Sequence, residues 1–263
     1  MEVQLKKSIS NIAWSSDYDE EMYCFLEQQG IEGIEIAPTR LFPDAPYERI
    51  ADAKLFARKM KGYGLEVCSL QSIWYGRNER IFGSQKERET LLDYTKYAFE
   101  FAKALECSNL VFGCPKNRII NSDDDYEIAV DFFAKLGEMA KQNSTVLAIE
   151  ANPDIYGTNF LNTTNQTLDF VKRIDSDGIK LNYDLGTVMH NNECGIQNLA
   201  MIPYINHVHI SEPNLNEVMF NSIQSDVIKK LREYEYQRYV SIEMKNLNSL
   251  ALVKEKLIMF KEL

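Results

Sequence analysis

Three carboxylates and one imidazole stand at the ends of four successive apolar runs of this chain: Glu150 in LAIEAN, Asp184 in LNYDLG, His209 in HVHIS and Glu243 in VSIEMK. Side chains alternate along a strand, so Ala148 shares a face with Glu150, Asn182 with Asp184, His207 with His209 and Ser241 with Glu243. A lone glutamate in such a place is ordinarily a salt-bridged or solvated strand end. A buried carboxylate, however, costs several kcal/mol unless it is paired, hydrogen-bonded or bound to a metal, and four such residues in succession call for a cation. Three carboxylates with one imidazole suit a hard or borderline dication with open octahedral positions: one Mn²⁺ by first expectation, with Mg²⁺, Co²⁺ or Zn²⁺ as alternatives. Chelating a carbonyl and a neighbouring hydroxyl, such an ion acidifies the C–H between them and stabilises the resulting enediolate. Glu150 and Glu243, on well-separated strands, then suit removal of that proton and its return from the other side, which inverts a stereocentre. Return to the neighbouring carbon would instead interconvert aldose and ketose.

These residues need a scaffold that brings strand ends together. Short β-rich runs recur at 9–14, 33–37, 65–71, 109–113, 146–151, 179–184, 205–210 and 239–243, each followed by a stretch of helical period. Ser16 and Asp19 announce one helix, stopped by Gly30, and Ser122 and Asp125 another. Strand–helix alternation demands a parallel sheet, and eight strands without a GxGxxG turn after the first favour an α/β fold of the (β/α)₈ barrel type over an open doubly wound sheet. With no Pro-, Gly- or Ser-rich linker, residues 1–263 are expected to form one domain. The long connections 76–84 and 114–122 both follow strands, which in a barrel puts them at the active end.

Asp and Glu outnumber Lys and Arg 39 to 29, and the net charge of −10 opposes nucleic-acid binding. Five cysteines without CxxC spacing argue against a disulfide framework and for a reducing, cytoplasmic setting. No signal-like apolar run and no stretch of about 18 apolar residues suggests export or a membrane span.

The segments IEAN, TNFLNTTNQTLDFV, LNYDLG, HVHISE and SIEMK, with SLQSIWYG and VFGCPKNR upstream, are similar in order and spacing to the xylose isomerase-like TIM-barrel superfamily of sugar phosphate isomerases and epimerases. Within it the chain resembles ketose 3-epimerases of the tagatose/psicose type over nearly its whole length. The resemblance implies that Glu150, Asp184, His209 and Glu243 bind the metal and that Glu150 and Glu243 transfer the proton. Two positions depart from the family: Thr187 stands where it has a histidine three residues after the aspartate, and Tyr156 where it has a glutamate six residues after the first ligand.

Around the metal centre, Glu35 and Gln71 are candidates to orient a polyol, while Trp14, Trp74 and Tyr75 are candidates for an apolar wall. Lys116 and Arg118 are candidates to clamp a substrate phosphate or carboxylate, with a solvated basic loop as the equal alternative. His190 either reaches the site or caps the surface, His207 backs His209 or simply packs, and Glu212 either contacts substrate or caps the next segment. The expected partner is a small sugar or sugar phosphate, and a homo-oligomer is compatible with the sequence. A metal-dependent dehydratase of a polyol ketone and a non-catalytic sugar-binding barrel are the alternatives. A multi-zinc phosphodiesterase would need more than the three histidines present.

Overall fold

The computed structural model describes residues 4–122, 124–196 and 199–263. Strands β1 (Lys6–Ser10), β2 (Gly33–Ile36), β3 (Glu66–Leu70), β4 (Asn109–Phe112), β5 (Val146–Glu150), β6 (Ile179–Asp184), β7 (Ile205–Ile210) and β8 (Tyr239–Ile242) run parallel in sequence order. The barrel closes where Ser8 and Ile9 pair with Ser241 and Ile242. Helices α1 (Asp19–Gln29), α2 (Pro38–Leu41), α3 (Ile50–Gly62), α4 (Gln85–Leu105), α5 (Asp125–Gln142), α6 (Thr164–Ile174), α7 (Leu185–His190), α8 (Ser222–Glu233) and α9 (Leu250–Glu262) lie between and after the strands, as parallel pairing requires. None of the described helices is long and apolar enough to cross a membrane.

The two faces of the strands divide the work. Ile9, Ile34, Leu110, Phe112, Leu147, Ile149, Leu181, Val208 and Ile242 are fully buried, and Phe112 meets Trp74 and the α5 residue Phe133 edge-on. Each side chain of this kind contributes about 1.5–3 kcal/mol by leaving water. The other face carries Ser8, Ser10, Glu35, Ser69, Gln71, Asn109, Asn182, His207, His209 and Ser241, equally buried but polar. Barrel interiors are ordinarily filled with Val, Ile and Leu. Here hydrogen bonds replace them: Asn109 Nδ2 donates to Ser69 Oγ at 3.0 Å, and Gln71 Nε2 donates to Glu35 Oε1 at 3.3 Å and to Ser10 Oγ. The outer layer stabilises the barrel, which leaves the inner face free to hold a polar constellation.

Seven strands fall within one residue of their expected limits, but the first is displaced. It runs over Lys6–Ser10, not 9–14, because Ser10 Oγ accepts from Ile12 N and turns the chain into a 3-10 segment, Asn11–Ala13. Asn11 Oδ1 then takes the Ala37 N–H at 2.9 Å. The two lysines that disguise this strand sit at its open end, where Lys7 Nζ donates to the last carbonyls of α9, Phe260 O and Lys261 O, at 2.7 Å. Helix ends follow local chemistry. Gly30 stops α1 in the left-handed region (φ 69°), whereas the expected Ser16/Asp19 cap is replaced by Ser15, which caps a short 3-10 turn before the helix. Asp125 Oδ2 accepts from Asn121 N and Ser122 N at the start of α5. Ser84 and Glu87 cap α4 reciprocally.

Candidate active site

The register of the last four strands brings the expected residues together. Asp184 pairs across from His209, His209 across from Ser241, and Glu150 across from Asn182. Glu150, Asp184, His209 and Glu243 each offer one ligand-type atom, and these atoms all lie within 4.8 Å of one another, a cluster able to hold a divalent ion. His209 Nδ1 is 3.1 Å from Glu150 Oε2, 3.1 Å from Glu243 Oε2 and 4.0 Å from Asp184 Oδ2. His209 is fully buried, and the three carboxylates form the floor of a cavity of about 190 Å³ at the carboxyl ends of the strands.

Three members of the cluster, Glu150, Asp184 and His209, are held from behind. Asn182 Nδ2 donates to Glu150 Oε2 at 2.6 Å and lies 3.1 Å from His209 Nδ1. Asn152 Nδ2 donates to Glu150 Oε1 at 2.9 Å. Asp184 caps α7, where its Oδ1 accepts the Thr187 N–H at 2.6 Å, and its Oδ2 accepts from Ser211 Oγ at 2.5 Å. Glu35 Oε2 lies 3.0 Å from His209 Nε2 and 3.1 Å from His207 Nε2. Asn152, Asn182 and Ser211 were not singled out from sequence as functional. Each stands two residues from a cluster member, so the same alternation that found the cluster also points to them.

The charges are crowded. Burial, then repulsion from Glu150, raises the Asp184 carboxyl to about 6. Burial likewise raises Glu243 to about 7, with Glu150 and Glu35 adding to it against the pull of His209. Burial opposes a charge on His209, yet Glu243, Glu35 and Glu150 hold its imidazole well above its ordinary value. Burial would raise Glu35 too, but His209 and His207 keep it below the usual carboxylate range. His207 is pushed down by burial. A dication among these oxygens would relieve the repulsion, and with three oxygens and one nitrogen the donor set fits a hard or borderline ion.

Of the outlying candidates, Gln71 and Glu212 reach the cavity wall, joined by Ser72, Cys114, Asn152 and Tyr156. Glu212 Oε1 also accepts from Gln224 Nε2 at 3.1 Å and Asn221 Nδ2 at 3.3 Å, which ties it to the start of α8. The Tyr156 hydroxyl accepts from Asn214 N at 2.9 Å and is kept un-ionised, pushed up to about 12 by burial. The other candidates stand off the wall. Glu35 is occupied behind His209. Trp74 is buried, donating from Nε1 to Thr95 Oγ1 at 2.8 Å, and Trp14 donates to Asp19 Oδ1 at 2.8 Å. Lys116 points to solvent. Arg118 is fully buried over the Phe112 ring, 5.5 Å from its centroid. None of its guanidinium nitrogens has a hydrogen-bond partner among the described residues, and burial lowers it to about 10 against the pull of Glu150. His190 ends α7 with Nε2 3.7 Å from the exposed Asp154. Thr187 turns inward to donate from Oγ1 to Ala151 O at 2.9 Å.

The same architecture recurs in solved structures. D-psicose 3-epimerase from Clostridium cellulolyticum H10 superposes with a TM-score of 0.78 at 16% identity over 98% of both chains. The 3-keto-D-glucoside 4-epimerase of E. coli does so at 0.75 and 17%, over 98% of this chain and 99% of the other. An L-ribulose 3-epimerase follows at 0.74 and 18%, over 97% and 86%. At these identities the likeness is one of fold. Comparison with curated protein sequences finds no match. The sequence itself, from residue 25 to 263, matches the profile of a family described as the xylose isomerase-like TIM barrel, and the chain belongs to that family.

Proposed function

We propose that this protein is a divalent-metal-dependent epimerase or isomerase of a small unphosphorylated sugar or related polyhydroxy carbonyl compound. The observation that carries this reading is the meeting of Glu150 and Glu243 at 3.1 Å from one histidine nitrogen, on the floor of a small cavity. Glu150, Asp184, His209 and Glu243 would hold the ion, which when bound polarises a carbonyl and its neighbouring hydroxyl and so acidifies the carbon-bound proton between them. Glu150 and Glu243, from strands three apart in the barrel, remove that proton and return it. Asn152 and Asn182 fix the Glu150 carboxylate for the task.

The substrate class follows from the wall. Among the described residues no Lys, Arg or His side chain lines the cavity, while Gln71, Asn152, Tyr156 and Glu212 offer neutral or acidic hydrogen-bonding groups. That supports a hydroxyl-rich neutral substrate over a sugar phosphate. A volume of about 190 Å³, below the 300–1,000 Å³ usual for drug-sized ligands, supports a small one. The shared fold of the psicose and ribulose 3-epimerases agrees with this reading.

A second reading, dehydration, is favoured by one observation: the Tyr156 phenol, un-ionised to about 12, could protonate a departing hydroxyl beside the same carboxylates. The test is a panel of neutral ketoses in D₂O with added Mn²⁺, Mg²⁺ or Co²⁺, followed by NMR. Solvent deuterium incorporated next to the carbonyl, and absent with Glu243→Gln, supports proton transfer, and the product separates inversion from water loss. No exchange with any ketose by metal-loaded protein would defeat it.

A further inference from the structure

A second cavity, about 730 Å³ in volume, opens on the flank of the barrel between the segments following β2 and β3 and the outer face of α4. It is nearly four times the size of the metal-cluster cavity and falls within the usual range for small-molecule sites. Its chemistry is set by Tyr47, Tyr75, Tyr94 and Tyr97, with Glu48 and Arg77 at the edge. Tyr75 is 71% exposed and Tyr97 52%. Tyr94 and Tyr97 are three apart on α4 and so share one of its faces. Tyr47 donates its hydroxyl to Ile73 O at 2.7 Å, which fixes the floor, and its ring meets that of Tyr94 at 5.0 Å. Along the chain, the buried Ile73 and Trp74 separate Gln71 and Ser72 of the first cavity from Tyr75 and Arg77 of this one.

Tyrosine supplies rigid apolar area with a polar tip, so a tyrosine-lined concavity suits a ligand that is flat and apolar on one side and rich in hydroxyls at its rim. An anion is poorly served. The Arg77 guanidinium is taken up by Glu79, at 3.0 Å from Nε and again through its terminal nitrogen, and it lies 4.7 Å over the Tyr94 ring. The Glu48 carboxylate accepts hydrogen bonds and repels negative charge. A flat heteroaromatic base would want two parallel rings to enter between, whereas Tyr47 and Tyr94 are inclined by 64°. We propose that this cavity is a carbohydrate-binding site, separate from the metal cluster, that takes a neutral oligosaccharide of two or three rings.

The site can be tested whether or not the metal cluster is catalytic. The full chain, in excess chelator, is titrated calorimetrically with neutral trisaccharides of glucose, galactose, mannose and xylose. At least one should bind saturably, the Tyr75→Ala/Tyr97→Ala variant should weaken it by about ten-fold or more, and Glu243→Gln should leave it unchanged. Both tyrosines are exposed, and circular dichroism checks that the variant is folded. Absence of saturable binding to all four sugars, binding that survives loss of both tyrosines, or binding abolished by Glu243→Gln would overturn the proposal. So would light scattering that shows a dimer dissociated by the same double variant, since the tyrosines would then face a second copy.

Discussion

Glu35 Oε2 lies 3.0 Å from His209 Nε2, while Glu150 and Glu243 approach the same ring at Nδ1. The imidazole is thus gripped at one nitrogen and presented at the other. A carboxylate on the back of a ligating histidine fixes its tautomer and orientation and raises its basicity. Glu35 is fully buried and is steadied by Gln71, so the arrangement has little freedom to rearrange.

Glu35→Gln should therefore keep the fold but lower affinity for Mn²⁺ or Co²⁺ by roughly 10–100-fold. Calorimetric titration of metal into the chelator-stripped protein measures this directly. Unchanged affinity in a folded variant would show that Glu35 only fills space.

The crowded cluster predicts how the metal-free protein responds to pH. Asp184 is raised from 3.8 to about 6, Glu243 from 4.5 to about 7, and His209 well above 6.5. All three bind protons more tightly folded than unfolded, so stability from them is present at low pH and is lost as pH rises through those folded values. The opposite shift of Glu35 acts only below its ordinary 4.5. The melting temperature of the stripped protein, with these groups taken alone, should fall from roughly pH 5 to pH 8. Because a dication must displace the same protons, the rise in melting temperature on adding Mn²⁺ should grow over the same interval. A metal effect that shrinks with pH would place the ion elsewhere.

Much of this site is legible in the chain because strand ends are legible. Glu150, Asp184, His209 and Glu243 each close an apolar run, and a parallel barrel gathers such ends at one face. The residues that orient them are harder to see, although Asn152, Asn182 and Ser211 sit only two positions away. Nothing in Asn or Ser alone separates an orienting role from an ordinary polar strand position. Arg118 and Trp74 mislead for a different reason. Their types suit a ligand, but burial is a property of the packed loops: neither lines the cavity, and both pack against Phe112. Lys6 and Lys7 hide the first strand because their charges belong to the solvent-facing end of the barrel.

Packing outside the site makes its own prediction. A Cβ on Gly178, just before β6, would stand 2.0 Å from Gly137 O in α5, a backbone atom that cannot swing aside. Gly178→Ala must push helix and strand apart, at a cost toward the upper end of about 1–3 kcal/mol. Urea denaturation measures it, and a change under about 0.5 kcal/mol would mean the contact is looser than the geometry indicates.

Tyr156 offers the sharpest division between the two readings of the chemistry. Its hydroxyl accepts from Asn214 N at 2.9 Å, which leaves its own proton available on the cavity wall, and burial keeps that proton in place to about 12. If the enzyme inverts or isomerises, the phenol only binds a substrate oxygen. Loss of one neutral hydrogen bond is worth about 0.5–1.5 kcal/mol, so Tyr156→Phe should raise KM several-fold and leave kcat nearly unchanged. If water is expelled, the phenol is the general acid and the same variant should lose about 10²-fold or more in kcat. The phenyl ring keeps the shape of the wall, so a fall in kcat without a change in KM cannot be assigned to repacking. Deuterium exchange next to the carbonyl completes the test, because it should survive Tyr156→Phe in either case and vanish with Glu243→Gln.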